Sequence, residues 1–190
     1  RTGERTPWVQ GTAEPGKIVH VLVDEREACQ ALVDLDGSWS CRVGFELGEG
    51  AHELIAHSED EAGNFSEPSI PVHFHVDLHA PSAPEITEPV SGSATLETRP
   101  LIAGRAPAGE RIEVSIDGGF ACNATADGRG YWSCVPRTDL EDGMHTAVAL
   151  AVDAAGNVSE PSVAVAFTVR STLPPPPVIE TPETDALLNQ

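Results

Sequence analysis

Four cysteines, seven histidines and thirty carboxylates are the side chains of this 190-residue chain whose types and spacing could do chemistry. The cysteines form two pairs, Cys29/Cys41 and Cys122/Cys134, each with eleven residues between its members. Paired thiols either oxidise to a disulfide or hold a metal. Structural zinc takes about four N or S ligands, often from Cys-x-x-Cys, and no such spacing occurs. Among the histidines, His73 and His75 alternate with Val72, Phe74 and Val76, which sets both imidazoles on one outer strand face, with His79 following. Such a pair can bind zinc or copper; a solvated strand face is the simpler reading. Asp34-Leu-Asp36-Gly37 resembles the opening of an EF-hand calcium loop, but its twelfth position is Phe45, so the motif fails. Nucleophile elbows, His-Glu-x-x-His and phosphate loops do not occur in the sequence. Catalysis is therefore not expected, and no catalytic residue, metal ligand or cofactor is assigned.

The elements that position these side chains come from a repeat. Thr6-Pro-Trp-Val-Gln-Gly-Thr-Ala-Glu-Pro-Gly16 aligns with Arg99-Pro-Leu-Ile-Ala-Gly-Arg-Ala-Pro-Ala-Gly109 at an offset of 93. In that register, without a gap, Cys29 meets Cys122 and Trp39-Ser-Cys41 meets Trp132-Ser-Cys134. His52 meets His145, and Asp60-Glu-Ala-Gly-Asn-Phe-Ser-Glu-Pro68 meets Asp153-Ala-Ala-Gly-Asn-Val-Ser-Glu-Pro161. One register of this quality marks an internal duplication. The phase is uneven: Pro84-Glu-Ile-Thr-Glu-Pro89 and Pro177-Val-Ile-Glu-Thr-Pro182 both begin a unit, while residue 1 aligns with Ala94, so unit one lacks this segment.

Alternation of period two dominates each unit, as in Ile112, Val114 and Ile116 or Val163, Val165, Phe167 and Val169, with Gly- and Asp-rich turns between the runs. In unit two the pattern predicts strands near 84–88, 99–105, 111–117, 120–126, 131–136, 144–153 and 161–170. The fold class is all-β: tandem immunoglobulin-like, seven-stranded Greek-key β-sandwiches. The expected domains are 1–78 with its first strand missing, a proline-containing linker 79–83, a second sandwich 84–171, and at 172–190 a proline-rich linker with the first strand of a following repeat. The string Pro-x-Ile-x-x-Pro, Gly-x-Ala-x-x-Gly, Gly-x-Trp-Ser-Cys, Leu-x-x-Gly-x-His, Asp-x-Ala-Gly-Asn-x-Ser-Glu-Pro resembles the bacterial immunoglobulin-like repeats of large surface proteins and adhesins. The resemblance implies stalks or spacers in most cases; a few such modules bind receptors or hold calcium between domains. One departure is the corner tyrosine, replaced here by His52 and His145.

Repeat symmetry favours disulfides within units, Cys29 to Cys41 and Cys122 to Cys134, on neighbouring strands joined by a turn and unlike the inter-sheet bridge of antibody domains. Disulfides imply an oxidising, extracellular or cell-surface location. Trp39 and Trp132, two residues before a cysteine, are expected to pack over the bridge, and Trp8 to be core. His52 and His145 are expected to bond nearby backbone. Asp60 and Asp153 either cap their turns or face a neighbouring domain with calcium. Three Asn-x-Ser/Thr sites, at Asn64, Asn123 and Asn157, are turn chemistry before they are glycosylation sites. Lys17 is the only lysine, so unit two cannot form a Lys–Asn isopeptide bond.

A net charge of -19 excludes nucleic-acid binding and disfavours anionic lipid. The charge is spread, with -12 over residues 1–93 and -7 over 94–190, so neighbouring units repel. No apolar run spans a membrane, and Arg1 opens a polar stretch, so an export signal is expected outside these residues. The leading expectation is a non-catalytic, monomeric spacer of a repetitive bacterial surface protein, plausibly an adhesin stalk, whose partners are neighbouring repeats. The alternative is a binding module for a surface glycan or protein through Asp24–Glu27, His57–Glu61 or His73–His79. A third expectation is that the tail Pro177–Gln190 completes unit one of another chain, a fragment boundary being the plainer account.

Overall fold

The computed structural model describes residues 1–172 and 176–179. In unit one, β1 (Trp8–Thr12) pairs with β4 (Ser38–Arg42), and a second sheet runs in the order β3 (Arg26–Leu32), β2 (Ile18–Val23), β5 (Gly50–Glu59), β6 (Val72–Val76). Unit two repeats the plan with β7 (Glu85–Glu88), β8 (Ala94–Thr95), β9 (Ile102–Arg105), β10 (Arg111–Ile116), β11 (Gly119–Thr125), β12 (Tyr131–Cys134), β13 (Gly143–Val152) and β14 (Val165–Val169). Its sheets are β12-β9-β7 and β11-β10-β13-β14-β8. The all-β sandwich class predicted from the alternation holds, because each strand turns one apolar row inward and a second sheet covers that row.

The offset of 93 carries through to the register. Gly11 opposes Trp39 as Gly104 opposes Trp132, and a bulge interrupts β2/β3 at Val21/Leu22 as it does β10/β11 at Val114/Ser115. A two-residue parallel strand, β8 on β14, was not among the seven predicted strands. Two residues hold too little alternation to reveal it, and its unit-one counterpart is a single bridge from Thr2 to Val76. The tail proposed as a spare strand lies mostly outside the described residues.

The two cores differ. Unit two has one continuous cluster built on Ile102, Ile112, Val114, Trp132 and Phe167, closed by Ile86 of β7. Unit one has two clusters, one around Val21 and Trp39 and one around Val23 and Val43, with Val9 and Leu54 on the margins of both. Among the described residues nothing lies beside β1 where β7 lies beside β9.

Two expectations are corrected. Trp8 is not core but 66% exposed. It opens β1, where Val9 and Gly11 are the more covered positions, and strand alternation turns Trp8 to the other face whatever its size. The disulfide strands are also not a hairpin. β3 and β4 lie in different sheets, as do β11 and β12, so each bridge links the two sheets at one edge of its sandwich. The turns at Asp34–Gly37 and Asp127–Gly130 carry the chain from one sheet to the other, and turn residues alone do not distinguish such an arch from a hairpin.

Candidate functional site

Three constellations in each unit take up most of the residues singled out by type. The first is the bridge. Cys29 is bonded to Cys41 and Cys122 to Cys134, and no free cysteine is left. Trp39 and Trp132 are buried in the same clusters as these sulfurs. A Cβ on Gly11 would come within 2.6 Å of the Trp39 ring, and one on Gly104 within 2.8 Å of Trp132, so the glycine that opens each Gly-x-Ala makes room for the indole.

The second is the corner. His145 Nε2 lies 2.8 Å from the Glu141 carbonyl and Nδ1 lies 2.7 Å from Asp117, whose other oxygen accepts the Thr146 amide at 2.8 Å. His52 repeats this with the Gly48 carbonyl at 2.8 Å, Asp24 at 2.6 Å and the Glu53 amide at 3.0 Å. Spacing alone does not mark Asp24 and Asp117 as the partners of these rings, and the expectation of Asp24 on a unit-specific surface gives way to its bond with His52. Their coincidence at the offset of 93 was the available signal. Both take a positive φ, 50° and 52°, at the first position of the hairpin turn, a conformation that Asp tolerates better than most residues. The Glu141 carbonyl and the Asp117 carboxylate hold the His145 pKa above 6.5; His145 in turn lowers that of Asp117.

The sign of the linkage sets a pH window. Stabilisation through His145 is present below its unfolded pKa near 6.5 and is lost as pH rises through the raised folded value. That through Asp117 is present above 3.8 and is lost as pH falls through the lowered value. The pair is therefore strongest between about pH 4 and 6.5. Asp117→Asn, which keeps the turn, is expected to lower the melting temperature of unit two by about 4–8 °C at pH 5.5, corresponding to about 1 kcal/mol for a half-exposed charged hydrogen bond. At pH 9 the loss should shrink by half or more. Calorimetry at the two pH values checks this, and equal losses would refute the charge assignment.

The third constellation is the turn Asp-x-Ala-Gly-Asn. Asp153 accepts the Ala155 and Asn157 amides and the Asn157 side-chain amide, each at 2.8 Å. Asp60 does the same for Ala62 and Asn64. In unit two this turn also reaches unit one: Asn157 Nδ2 donates to the Asp77 carbonyl at 2.8 Å, and the Gly3 amide donates to the Ala155 carbonyl at 2.8 Å. A side chain on Gly3 would lie 2.7 Å from Asn157 Oδ1, so the approach is close.

The chain leaving each unit is held by a carboxylate. Asp142 accepts the Ser171 amide and hydroxyl, both at 2.6 Å, and the Thr172 amide at 3.1 Å, which keeps its pKa well below the usual range. Glu49, the counterpart of Asp142, pairs with His79, and Arg1 pairs with Asp77 at 3.6 Å. His79 thus belongs to the exit of unit one. Glu49, Asp77 and His79 bring possible ligand atoms within 4.8 Å of one another, largely exposed. His73 and His75 are both exposed, and only His73 approaches an acid, Glu53 at 3.7 Å. His20 was not singled out by spacing; its ring lies between Glu59 at 2.7 Å and Glu27 at 3.3 Å.

Glu110 sits at the same inter-unit contact. Burial, with Asp153 and Asp77 nearby, raises its pKa, and its Oε2 is buried with no partner among the described residues. Its counterpart is Lys17, whose charge instead helps to lower the pKa of Asp60. A raised carboxyl favours the protonated folded state, so this contribution is present below pH 4.5 and is lost as pH rises through the folded value. Glu110→Gln removes the charge and is expected to raise the melting temperature of unit two by about 4–8 °C at pH 7, about 1 kcal/mol, with little change at pH 4. Thermal denaturation at both pH values is the check; no gain at pH 7 would contradict it.

Two-sheet β-sandwiches in tandem, each stitched at one edge and meeting through a polar turn, define a pair of immunoglobulin-like modules. The bacterial Ig-like domain family matches residues 1–78 and again 89–170, and the chain belongs to that family. Bacillopeptidase F of Bacillus subtilis (strain 168) is 28% identical over 156 residues, which are 82% of this chain and 10% of that protein. The fibronectin(III)-like modules of Clostridium thermocellum CbhA share the fold, with a TM-score of 0.60 over 89% of this chain and 87% of that one at 16% identity. A tetra-tandem repeat from the extending region of a large adhesion protein is 20% identical, with a TM-score of 0.39, over 90% of this chain and 46% of that one.

Proposed function

We propose that this chain is a non-catalytic spacer segment of a bacterial cell-surface protein, two Ig-like modules over 1–78 and 84–171 that hold distance between whatever flanks them. The observation that carries the reading is the inter-unit contact, in which the Asp153–Asn157 turn binds the end of unit one through Asn157 and Ala155. Two hydrogen bonds and a clamped exit at Glu49 and His79 limit rocking about the short linker 79–83, whose prolines already restrict it. The excess of acid in both units opposes side-by-side collapse. The bridges suit an oxidising exterior.

Small-angle scattering tests this. Wild type should give the maximum dimension of two modules end to end, and Asn157→Ala a broader distance distribution with both modules still folded by circular dichroism. Scattering from modules folded against each other would overturn the reading.

A further inference from the structure

The contact between the units holds a carboxylate where the repeat counterpart holds an amine. Position 17 of unit one and position 110 of unit two, 93 residues apart, each act on the aspartate of the Asp-x-Ala-Gly-Asn turn. In unit one the pair is Lys17 and Asp60, and the lysine helps to keep that carboxyl ionised. In unit two it is Glu110 and Asp153, two acids. This second turn is the one that meets the other unit: Asn157 Nδ2 donates to the Asp77 carbonyl at 2.8 Å, and the Gly3 amide donates to the Ala155 carbonyl at 2.8 Å. The charge is thus reversed at the turn that carries the contact.

Glu110 finds no compensation there. Its Oε2 is buried without a partner among the described residues. Asp153 faces it from the turn after β13, and Asp77 faces it from the chain leaving β6 of unit one. The cations at hand are engaged elsewhere: Arg1 with Asp77 at 3.6 Å, and Arg111, the next residue, with Glu113. The other Asp77 oxygen accepts the His79 amide at 3.3 Å. An ionised Glu110 meets two like charges and has water removed from one oxygen, whereas a protonated one loses the repulsion and gains an O–H donor. The charge of Asp77 acts on Glu110 only while the units touch. The docked state therefore binds the Glu110 proton more tightly than the parted one, and by reciprocity the proton favours docking.

We propose that Glu110 is a proton-linked latch on the inter-unit contact: protonated, it lets the Asp153–Asn157 turn and the end of unit one close on each other, and ionised, it loosens them. The hydrogen bonds from Asn157 and Gly3 give the contact its geometry, and Glu110 sets how much of the time it is made. The sign follows from the linkage. Burial first, then Asp153 and Asp77, raise the docked value above 4.5, so the contribution to docking is fully present below pH 4.5 and is lost as pH rises through the docked value. The two-module rod is accordingly stiffer in mildly acidic surroundings and more freely jointed at neutral pH. The latch rests on the contact of the spacer reading and adds to it a ligand, the proton, and a regulated property, stiffness.

Carboxyl-carbon and amide NMR of the whole chain between pH 5 and pH 8 tests it, with a chelator present so that the proton is the only ligand varied. The Glu110 carboxyl should titrate above the exposed glutamates, and the Gly3 amide and the Asn157 side-chain amide should shift with the same midpoint. Protection of the Gly3 amide against exchange should be at least about twofold greater at pH 5 than at pH 7.5. Glu110→Gln should hold the pH 5 level throughout and abolish the dependence. Asp77→Asn, which keeps the carbonyl that Asn157 uses, should move the Glu110 midpoint down toward 4.5 with both modules still folded by circular dichroism. A Glu110 carboxyl that titrates with the other glutamates, contact amides that ignore its midpoint, a midpoint untouched by Asp77→Asn, or a Glu110→Gln chain as pH-dependent as wild type would overturn the latch and leave the spacer reading standing. Scattering from modules folded against each other would overturn that reading and the latch together.

Discussion

Trp132→Ala should lower the unit-two melting temperature by more than about 12 °C, while Trp39→Ala lowers that of unit one by distinctly less. Removing a buried tryptophan costs about 3–5 kcal/mol, and each kcal/mol moves a domain of this size by about 4–8 °C. Trp132 is in the continuous cluster that joins Ile86, Ile102, Phe167 and both sulfurs of its bridge, so its loss leaves a cavity that both sheets line. The fit to Gly104 prevents the strands from closing that cavity, because β9 is already held between β12 and β7. Trp39 belongs to one of the two small clusters into which the core of unit one is divided and borders an open groove, so water and neighbouring side chains can fill its place. Differential scanning calorimetry of the whole chain, with one transition per module, measures both losses. Trp132→Phe is the informative companion. The indole Nε1 is buried without a partner among the described residues, so phenylalanine relieves an unsatisfied donor while keeping most of the volume, and its loss should be under half that of alanine. Equal losses for Trp39→Ala and Trp132→Ala would show that the divided core of unit one packs as tightly as the continuous one.

The contrast between the two tryptophans could not be read from the sequence, although the tryptophans could. The offset of 93 aligned Trp39 with Trp132 and His52 with His145, and the alternation of apolar residues placed most strands. What the pattern could not supply was which sheet each strand joins. β3 and β4 are consecutive and antiparallel in appearance, and only hydrogen-bond pairing, a property of strands distant in sequence, assigns them to opposite sheets. The same limit hid Asp117 as the partner of His145, twenty-eight residues away across two strands. Trp8 departs from its expected core place for a local reason: its counterpart is Leu101, so the repeat does not constrain it, and strand alternation in β1 turns it outward. At the contact between the units, Asp153 was legible as a turn cap, but the reach of Asn157 to Asp77 was not, because no periodicity encodes a meeting of two modules.

The bridges bear on the proposed location through the second large effect. Cys122→Ala with Cys134→Ala is expected to lower the unit-two transition by about 12–24 °C. The residues are 12 apart, and in the chain-entropy model closing such a loop is worth about 3 kcal/mol. Alanine is the suitable replacement because Cys122 is buried in an apolar cluster, where a serine hydroxyl would add its own cost. The corresponding pair in unit one, Cys29→Ala with Cys41→Ala, should be more damaging in consequence at a similar free-energy loss. Among the described residues unit one has a divided core and no strand beside β1, so it starts with less stability to lose. In the wild type, reductant should act slowly, since Cys41 and Cys122 are buried and the thiolate must wait for an opening of the edge. Once reduced, unit one should lose its transition near ambient temperature while unit two keeps one. Calorimetry of the two double variants, and of wild type before and after reduction, decides the matter. A loss below about 4 °C in both units would mean that packing alone holds the sheets together. The expected outcome ties folding to compartment: under reducing conditions the first module stays largely open, and it closes only where its sulfurs can be oxidised.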